Sequence, residues 1–210
     1  MTDLLDFLRH NPYPGRGIAI SSDSIYYFIM GRSENSRNRV FETTEDGIRT
    51  RAFDARKVTD PSLILYHPVR RTALGLVVGN GDQTDTVAEL GCWRRALRQR
   101  EYEPDAPNYT PRITALLRPD GSFELSILKR AQGRCLREFF SFEGCDAGTG
   151  RFISTYAQDG DPLPSYSGEP LEIRFPEPEA LWAALHPENK VALYANIRGT
   201  VRLFNKLCGD

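Results

Sequence analysis

The chain has 210 residues, of which 40% are hydrophobic and 26% are charged, and its formal net charge is −1. This near-neutral balance argues against a nucleic acid or an anionic membrane as the partner, because both require an excess of basic residues. The length suits one sizeable domain, and we predict a single domain over residues 1–210.

The cysteines and the apolar runs exclude further classes. The four cysteines contain no C-x-x-C pair and the three histidines are scattered, so no structural zinc site is predicted. No apolar run is long enough to cross a membrane, and the amino end lacks the pattern of a secretory signal. Sparse cysteines are typical of a reducing compartment, so we expect a cytoplasmic protein.

The amino-terminal part is predicted to begin with a helix and to continue as strands. Residues 1–11 form an amphipathic helical extension that Pro12 ends. Strands are predicted at 18–20 and 26–30, followed by a polar loop, 31–39, that carries three arginines. Asp46-Gly47 then marks the turn of a hairpin between 40–43 and 48–53.

The middle of the chain is predicted to contain two strands and the first long helix. The strands lie at 63–66 and 72–78. The helix starts at Thr86, because Thr86 and Glu89 have the spacing of a capping box and apolar residues then recur with helical period. In this position Asp85 is more readily a helix cap than a catalytic residue.

The most unusual stretch is 102–113, with the sequence Tyr-Glu-Pro-Asp-Ala-Pro-Asn-Tyr-Thr-Pro-Arg-Ile. Its three prolines favour a stiff, extended connection. It carries two carboxylates, two phenols, an amide, a hydroxyl and a guanidinium. A rigid segment with these groups suits a polar ligand, but a surface loop with chance polar content explains it equally well.

The rest of the chain is predicted to be mainly strands. Strands are predicted at 113–117, 123–128, 136–142, 152–156, 171–175, 191–197 and 201–204, and a helix at 179–185. Residues 157–170 are rich in Gly, Pro, Asp and Ser, and we interpret them as a long loop that could serve as a lid. Strands joined by short turns predict antiparallel sheets in an α+β fold.

Several motifs resemble those of the archaeal-type IMP cyclohydrolases, which close the last ring in purine synthesis. The matching pieces are Tyr13-Pro14-Gly15-Arg16, Gly31-Arg32-Ser33 with Arg37, Tyr66, Asn80-Gly81 with Thr84-Asp85-Thr86, Tyr102-Glu103 with Asp105, Thr110-Pro111-Arg112-Ile113, and Ile153-Ser154-Thr155-Tyr156. They occur in the family's order, and the joint pattern is more specific than any single piece. The long amino-terminal helix and the Arg-rich loop indicate a bacterial member.

The resemblance implies a fold and a reaction. The fold is a four-layer α/β/β/α sandwich of two antiparallel sheets, like that of the Ntn hydrolases but without an amino-terminal nucleophile. The reaction closes 5-formamidoimidazole-4-carboxamide ribotide (FAICAR) to IMP with loss of water. The implied enzyme needs no cofactor or metal and forms a homo-oligomer.

The implied chemistry needs proton transfer, an oxyanion donor and a phosphate site. For proton transfer Glu103 is the first choice and Asp105 the second, with Tyr66 or Tyr102 as partner. The candidate oxyanion donors are Arg112, Asn80 and Tyr66. The candidate phosphate ligands are Arg16, Arg32 and Arg37. The remaining substrate-binding candidates are Asp85 and Asn108. The residues implied most directly by the resemblance are Arg37, Tyr66 and Glu103.

Simpler interpretations of these residues stay open. Glu103 could pair with a surface arginine, and Tyr66 could be a core residue whose hydroxyl bonds to the backbone. Arg39 belongs either to the phosphate site or only to its loop, and it is not among the candidates.

Two other functions also fit the sequence. A non-catalytic purine nucleotide-binding protein would keep the pocket and lack the chemistry. An Ntn-type amidohydrolase would need a Ser, Thr or Cys exposed as a new amino terminus.

Overall fold

The computed structural model describes residues 1–58 and 65–209, and their strands form two seven-stranded sheets. The first sheet contains, in spatial order, β1 (Thr2–Asp3), β12 (Leu171–Arg174), β11 (Thr149–Ser154), β2 (Arg16–Ile20), β3 (Ser24–Met30), β13 (Lys190–Ile197) and β14 (Thr200–Asn205). The second contains β10 (Arg134–Phe142), β9 (Phe123–Ala131), β8 (Arg112–Leu117), β7 (Gly75–Gly79), β6 (Val69–Thr72), β5 (Gly47–Ala52) and β4 (Arg39–Thr44). Neighbouring strands are antiparallel except for the parallel pair β1 and β12.

The helices are short and lie between strands. They are α1 (Leu4–His10), α2 (Glu34–Arg37), α3 (Gln83–Leu90), α4 (Trp93–Arg98) and α5 (Pro178–Ala184), with a 3₁₀ turn at Ala55–Lys57. Within the described residues, no helix is long and apolar enough to cross a membrane.

Alternating side chains build the core in layers. Ile18, Ile20 and Tyr27 of the first sheet point at the second sheet and pack there with residues such as Ile113 and Ile127. The opposite face of the first sheet, including Phe28 and Phe152, is covered by Leu4 and Leu8 of α1 and by Leu181 of α5. The outer face of the second sheet is covered by α3 and α4, through residues Val87, Trp93 and Leu97. The α+β class is therefore confirmed.

The predicted hairpin around Asp46-Gly47 is confirmed as β4–β5, and the predicted strands at 113–117 and 123–128 are confirmed as β8 and β9, which pair with each other. The single strand predicted at 72–78 is wrong, because the chain reverses between β6 and β7. Thr72 Oγ1 donates to the carbonyl of Gly75, whose φ of +132° suits glycine.

The helix predicted from Thr86 starts three residues earlier, after Asp82, and lacks the expected capping box. The helix ends at Leu90, because Gly91 adopts a left-handed conformation (φ +57°) and separates α3 from α4. The polar loop 31–39 contains the short helix α2, whose capping box is formed by Ser33 and Ser36.

Two further predictions concern irregular segments. In the strand predicted at 63–66, Leu63 and Ile64 lie outside the described residues, while Leu65 and Tyr66 are not in a strand. Residues 157–170 contain no helix and no strand beyond an isolated bridge between Tyr156 and Ser165, as expected for a long loop. The amino-terminal helix is present, but it starts at Leu4 after the cap residue Asp3.

Candidate active site

A cavity of about 300 Å³ opens at the end of the two sheets where β2 and β4 begin and where β3 and β11 end. Its lining residues are Tyr13, Arg16, Arg32, Ser33, Asn35, Ser36, Arg39, Glu103, Asp105, Asn108, Thr110, Tyr156 and Leu163. They come from the amino-terminal motif, the 31–39 loop, the proline-rich stretch, the segment 153–156 and the 157–170 loop. Segments far apart in sequence therefore form one wall.

Backbone hydrogen bonds join the segment 13–16 to the segment 153–156. The N–H of Arg16 donates to Thr155 Oγ1 at 3.1 Å, and the N–H of Tyr156 donates to the carbonyl of Pro14 at 3.2 Å. Gly15 has φ +77°, and a Cβ there would lie 2.3 Å from Thr155 Oγ1, so this close approach requires glycine. The contact places the side chains of Arg16 and Tyr156 together at the cavity.

Glu103 is a buried carboxyl group at this wall, only 5% exposed. Its main-chain N–H donates to the carbonyl of Thr110 at 2.9 Å, which fixes its position. Burial raises the pKa of Glu103 to about 7, against the opposing effect of Arg16, Arg112 and Arg39. A carboxyl group with this pKa can both accept and donate a proton near neutral pH.

Two guanidinium groups face Glu103 without full hydrogen bonding. Arg39 is 1% exposed; its Nε donates to the carbonyl of Ser36 at 2.8 Å, but its Nη1 and Nη2 atoms have no partner among residues 1–58 and 65–209. Nε of Arg16 is also buried without a partner within the same ranges. Buried donors are nearly always paired in proteins, so these nitrogen atoms are suited to a bound acceptor.

The charges of the two arginines affect each other. Burial, and after it the charge of Arg16, lowers the pKa of Arg39. Burial by itself would lower the pKa of Arg16 as well, but Tyr13, Glu103 and Tyr66 raise it above its ordinary value. The phenols and Glu103 therefore favour the charged form of Arg16, whereas for Arg39 burial and the charge of Arg16 outweigh the opposing effect of the phenols.

Tyr66 is buried and is not among the lining residues of this cavity, but the charges of Arg39 and Arg16 affect its pKa. Its hydroxyl is 2.8 Å from the hydroxyl of Tyr27, so it pairs with a side chain and not with the backbone as the simpler interpretation supposed. Burial raises the pKa of both phenols. The charge of Glu103 also affects the pKa of Tyr66, but Tyr66 lines a larger cavity of about 660 Å³, whereas Glu103 lines the smaller one.

Five of the sequence candidates line the cavity, namely Glu103, Asp105, Asn108, Arg16 and Arg32. Arg32 lies at the exposed mouth, where Nη1 donates to Asp159 Oδ1 at 2.9 Å and the guanidinium stacks over the ring of Tyr13 at 4.9 Å. Asp105 accepts from the N–H and the hydroxyl of Thr110, at 2.6 and 2.5 Å.

Two candidates hold loops in place and do not line the cavity. Nε of Arg37 donates to the carbonyl of Gly31 at 2.8 Å, and Nη2 donates to Asn189 Oδ1 at 3.0 Å. Asn80 is buried, accepts from the N–H of Ile113 at 2.7 Å and donates to the carbonyl of Pro111 at 2.9 Å.

Three further candidates, Arg112, Tyr102 and Asp85, also lie outside the lining of the cavity. Arg112 donates from Nη1 to Asp82 Oδ1 at 2.7 Å and to Gln83 Oε1 at 2.8 Å. Tyr102 packs edge-on against Tyr109, with 5.7 Å between the ring centroids.

Asp85 lies within α3 and does not cap it. Its Oδ1 pairs with Nη1 of Arg70 at 2.5 Å and is 3.3 Å from Nδ1 of His67. Asp82 and Asp85 line a larger neighbouring cavity of about 660 Å³. Because both carboxylates are paired with arginines, we place the candidate site in the smaller cavity, where buried guanidinium nitrogen atoms lack partners within residues 1–58 and 65–209.

The sequence interpretation missed several residues of the wall. They are Tyr13, Ser33, Asn35, Ser36, Arg39, Thr110, Tyr156 and Leu163. For Arg39 a signal existed, because it stands two residues before Phe41 in a strand and therefore shares the inward face of that strand. In the part of the chain that the structure describes, no three His, Cys, Asp or Glu side chains are grouped in a way that could hold a metal ion.

Comparisons with known proteins show the family of the chain. The chain matches the family model described as IMP cyclohydrolase-like protein over residues 13–200. It is also similar to the IMP cyclohydrolases of two strains of Halobacterium salinarum, with 29% identity over 125 residues in each case. Each alignment covers 56% of this chain and 63% of the relative, so it spans less than two thirds of the length of these relatives.

Proposed function

Because the chain belongs to the IMP cyclohydrolase-like family, we propose that it closes FAICAR to IMP with loss of water, as a step of purine biosynthesis. By reaction class it is then a hydrolase acting on carbon–nitrogen bonds in cyclic amidines. One observation carries the proposal: Glu103, a buried carboxyl group with a pKa of about 7, lines the same cavity as Arg16 and Arg39, whose buried guanidinium nitrogen atoms have no partner among the described residues.

The proposed reaction joins two groups that are already attached to one imidazole ring. The carboxamide nitrogen attacks the neighbouring formyl carbon, which forms a new carbon–nitrogen bond and a ring-bound hydroxyl group. Loss of that hydroxyl as water leaves the carbon–nitrogen double bond of IMP. The enzyme therefore has to hold the formyl group in an attack geometry and to move protons.

Glu103 is the group that moves these protons in our proposal. Two protons leave nitrogen atoms of the substrate, and two end on the departing oxygen. In each transfer the carboxylate form of Glu103 accepts a proton from nitrogen, first from the attacking amide and then from the formamido nitrogen, and the resulting acid passes it to the oxygen. Both forms are populated near neutral pH because the pKa of Glu103 is about 7.

The guanidinium groups supply positive charge for the oxygen atoms of the substrate. We assign Nη1 and Nη2 of Arg39, with the phenol of Tyr66 nearby, to the formyl oxygen as charge develops on it. We assign the phosphate to the cavity mouth, where Arg32 is accompanied by Ser33 and Asn108. Binding of phosphate there would compete with Asp159 for Arg32.

The proposal also covers the fold type, the assembly, the cellular location and the role of the 157–170 loop. The layer order of helices, two sheets and helices supports an Ntn-hydrolase-like sandwich within a single domain over residues 1–210. The resemblance to the family supports a homo-oligomer and a cytoplasmic location. The loop 157–170 contributes Leu163 to the wall and Asp159 to the mouth, which supports a covering role over the bound nucleotide.

A direct assay tests the proposal. Purified protein is incubated with FAICAR, and the formation of IMP is followed by chromatography and absorbance. We expect turnover by the natural sequence and by Glu124→Gln, a matched control whose carboxylate pairs with Arg118 outside the cavity. Binding of IMP without ring closure would indicate a non-catalytic nucleotide-binding protein and would reject the proposed activity.

A further inference from the structure

Three side chains beside the cavity form a chain of hydrogen bonds that ends at Tyr156. Thr110 Oγ1 lies 2.5 Å from Asp105 Oδ2 and 2.7 Å from the hydroxyl of Tyr156. The second oxygen of Asp105 accepts the main-chain N–H of Thr110 at 2.6 Å. Thr110 is 2% exposed and Tyr156 is 1% exposed, so this arrangement is shielded from bulk water.

The number of available protons fixes the direction of these bonds. A carboxylate only accepts hydrogen bonds, and a threonine hydroxyl has a single proton. The short contact between Thr110 and Asp105 therefore uses the proton of Thr110. The contact between Thr110 and Tyr156 must then use the proton of the phenol, so the O–H of Tyr156 points at Thr110.

The orientation of this proton decides what Tyr156 can offer to a ligand. With its proton directed at Thr110, the phenol presents only lone pairs to the cavity. The ring is held by stacking on Tyr13, at 6.0 Å between centroids, and by the close approach of Gly15. The hydroxyl therefore cannot be turned toward a phosphate or carbonyl oxygen without breaking the chain.

We propose that Tyr156 is a specificity-determining residue that accepts a hydrogen bond from a neutral donor of the ligand, and that Asp105 fixes this polarity through Thr110. The inference rests on the proposed function, because a purine ribotide has two kinds of neutral donor: a ribose hydroxyl and a ring N–H. Asp105 is a positioning residue in this arrangement, since both its oxygen atoms are bonded to Thr110.

Ligand binding to Tyr156→Phe tests the acceptor role. Calorimetry measures the affinity of the natural sequence and of this variant for IMP, 2′-deoxy-IMP, 3′-deoxy-IMP and 1-methyl-IMP. We expect Tyr156→Phe to weaken IMP binding by roughly 3- to 10-fold, the range for one neutral hydrogen bond. The analogue that lacks the donor should bind the natural sequence more weakly than IMP does, by a similar factor. In Tyr156→Phe the same analogue and IMP should bind with nearly equal affinity.

Two further variants distinguish the direction of the Tyr156 hydrogen bond from a purely structural role of Asp105 and Thr110. In Asp105→Asn the amide can donate to Thr110 Oγ1, which turns the threonine proton to Tyr156 and makes the phenol a donor toward the ligand. We expect this variant to lose IMP affinity about as strongly as Tyr156→Phe, and Thr110→Ser, which keeps the hydroxyl, to retain it. Thermal melting checks that all variants are folded.

The outcomes are distinguishable. Unchanged IMP binding by Tyr156→Phe, or equal losses for every analogue in both proteins, would overturn the inference and leave the proposed function standing. Absence of IMP binding by the natural sequence would reject both.

Discussion

Two clusters of charged side chains lie at the same end of the two sheets, and they differ in how their hydrogen bonds are satisfied. In the paired cluster, Arg100 and Arg112 both donate to the carboxylate of Asp82, and Arg112 also donates to Gln83. In the cavity cluster of Arg16, Arg39 and Glu103, the described residues leave three guanidinium nitrogen atoms buried without a partner.

This difference indicates that one cluster stabilises the fold and the other serves function. A satisfied network stabilises the fold around it, and removing one member leaves another polar group unpaired. Buried and unpaired charges reduce stability, so a protein that keeps them has another use for them. The cavity cluster therefore belongs to ligand binding and chemistry, and the paired cluster anchors α3 to β8.

The largest expected effect comes from Glu103→Gln, which removes the only proton-transfer group that we assign. Because general acid–base catalysis contributes about 10²- to 10⁴-fold, kcat should fall by that factor. Steady-state kinetics with FAICAR measures it. An activity within threefold of the natural sequence would remove Glu103 from the mechanism.

The second effect is a dependence of stability on pH. The pKa of Glu103 is raised from 4.5 to about 7, so between these values the folded protein holds a proton that the unfolded chain releases. The free energy of unfolding should then fall as pH rises through this window, by on the order of 3 kcal/mol from this group.

Urea denaturation at pH 5 and pH 7.5 measures this change. Glu103→Gln serves as the control, because it cannot titrate at this position and should show a smaller decrease. Parallel pH profiles of the two proteins would contradict the assignment.

The third effect distinguishes the two clusters directly. Arg39→Met replaces a buried charge by an apolar side chain of similar length, which removes an unpaired group and its repulsion with Arg16. We expect kcat/KM to fall by about 10- to 100-fold, the value of a charge-assisted hydrogen bond, with little change in stability, because removal of the unpaired charge offsets the lost hydrogen bond from Nε to the carbonyl of Ser36. Steady-state kinetics measures the change in activity, and thermal melting measures the change in stability. A lower melting temperature would show that Arg39 stabilises the fold.

The smallest effect is expected in the paired cluster. Arg112→Met leaves the buried side chain of Gln83 without the donor to its carbonyl oxygen, which should lower the free energy of unfolding by about 1–3 kcal/mol. Chemical denaturation measures this difference. A variant as stable as the natural sequence would mean that the two clusters do not differ in the way described.

Local sequence signals predicted much of the sheet structure. Turn signals such as Asp46-Gly47, flanked by alternating apolar residues, located hairpins that the structure confirms. Boundaries set by tertiary contacts were missed. Thr86 and Glu89 have the spacing of a capping box, but the helix starts earlier, after Asp82. The carboxylate of Asp82 is bonded to Arg100 and Arg112.

The candidate site shows the same division. Glu103 and Tyr66 were selected by resemblance and by residue chemistry; Glu103 lines the smaller cavity, and Tyr66 lines the larger one. Between Arg37 and Arg39, which are two positions apart, the sequence favoured Arg37, whereas only Arg39 lies in the cavity wall. The first ends α2 and bonds to Gly31 and Asn189, while the second begins β4 on its inward face.

The sequence by itself therefore determined the α+β class, the strand-rich order and the family, because turn residues, apolar alternation and motif order are local or linear properties. Only the tertiary structure decided which charged groups are buried and which of them are left without partners. That outcome depends on contacts such as those between 13–16 and 153–156, which join segments separated by most of the chain. Burial then sets the pKa of Glu103, since the cost of desolvating a charge depends on everything packed around it.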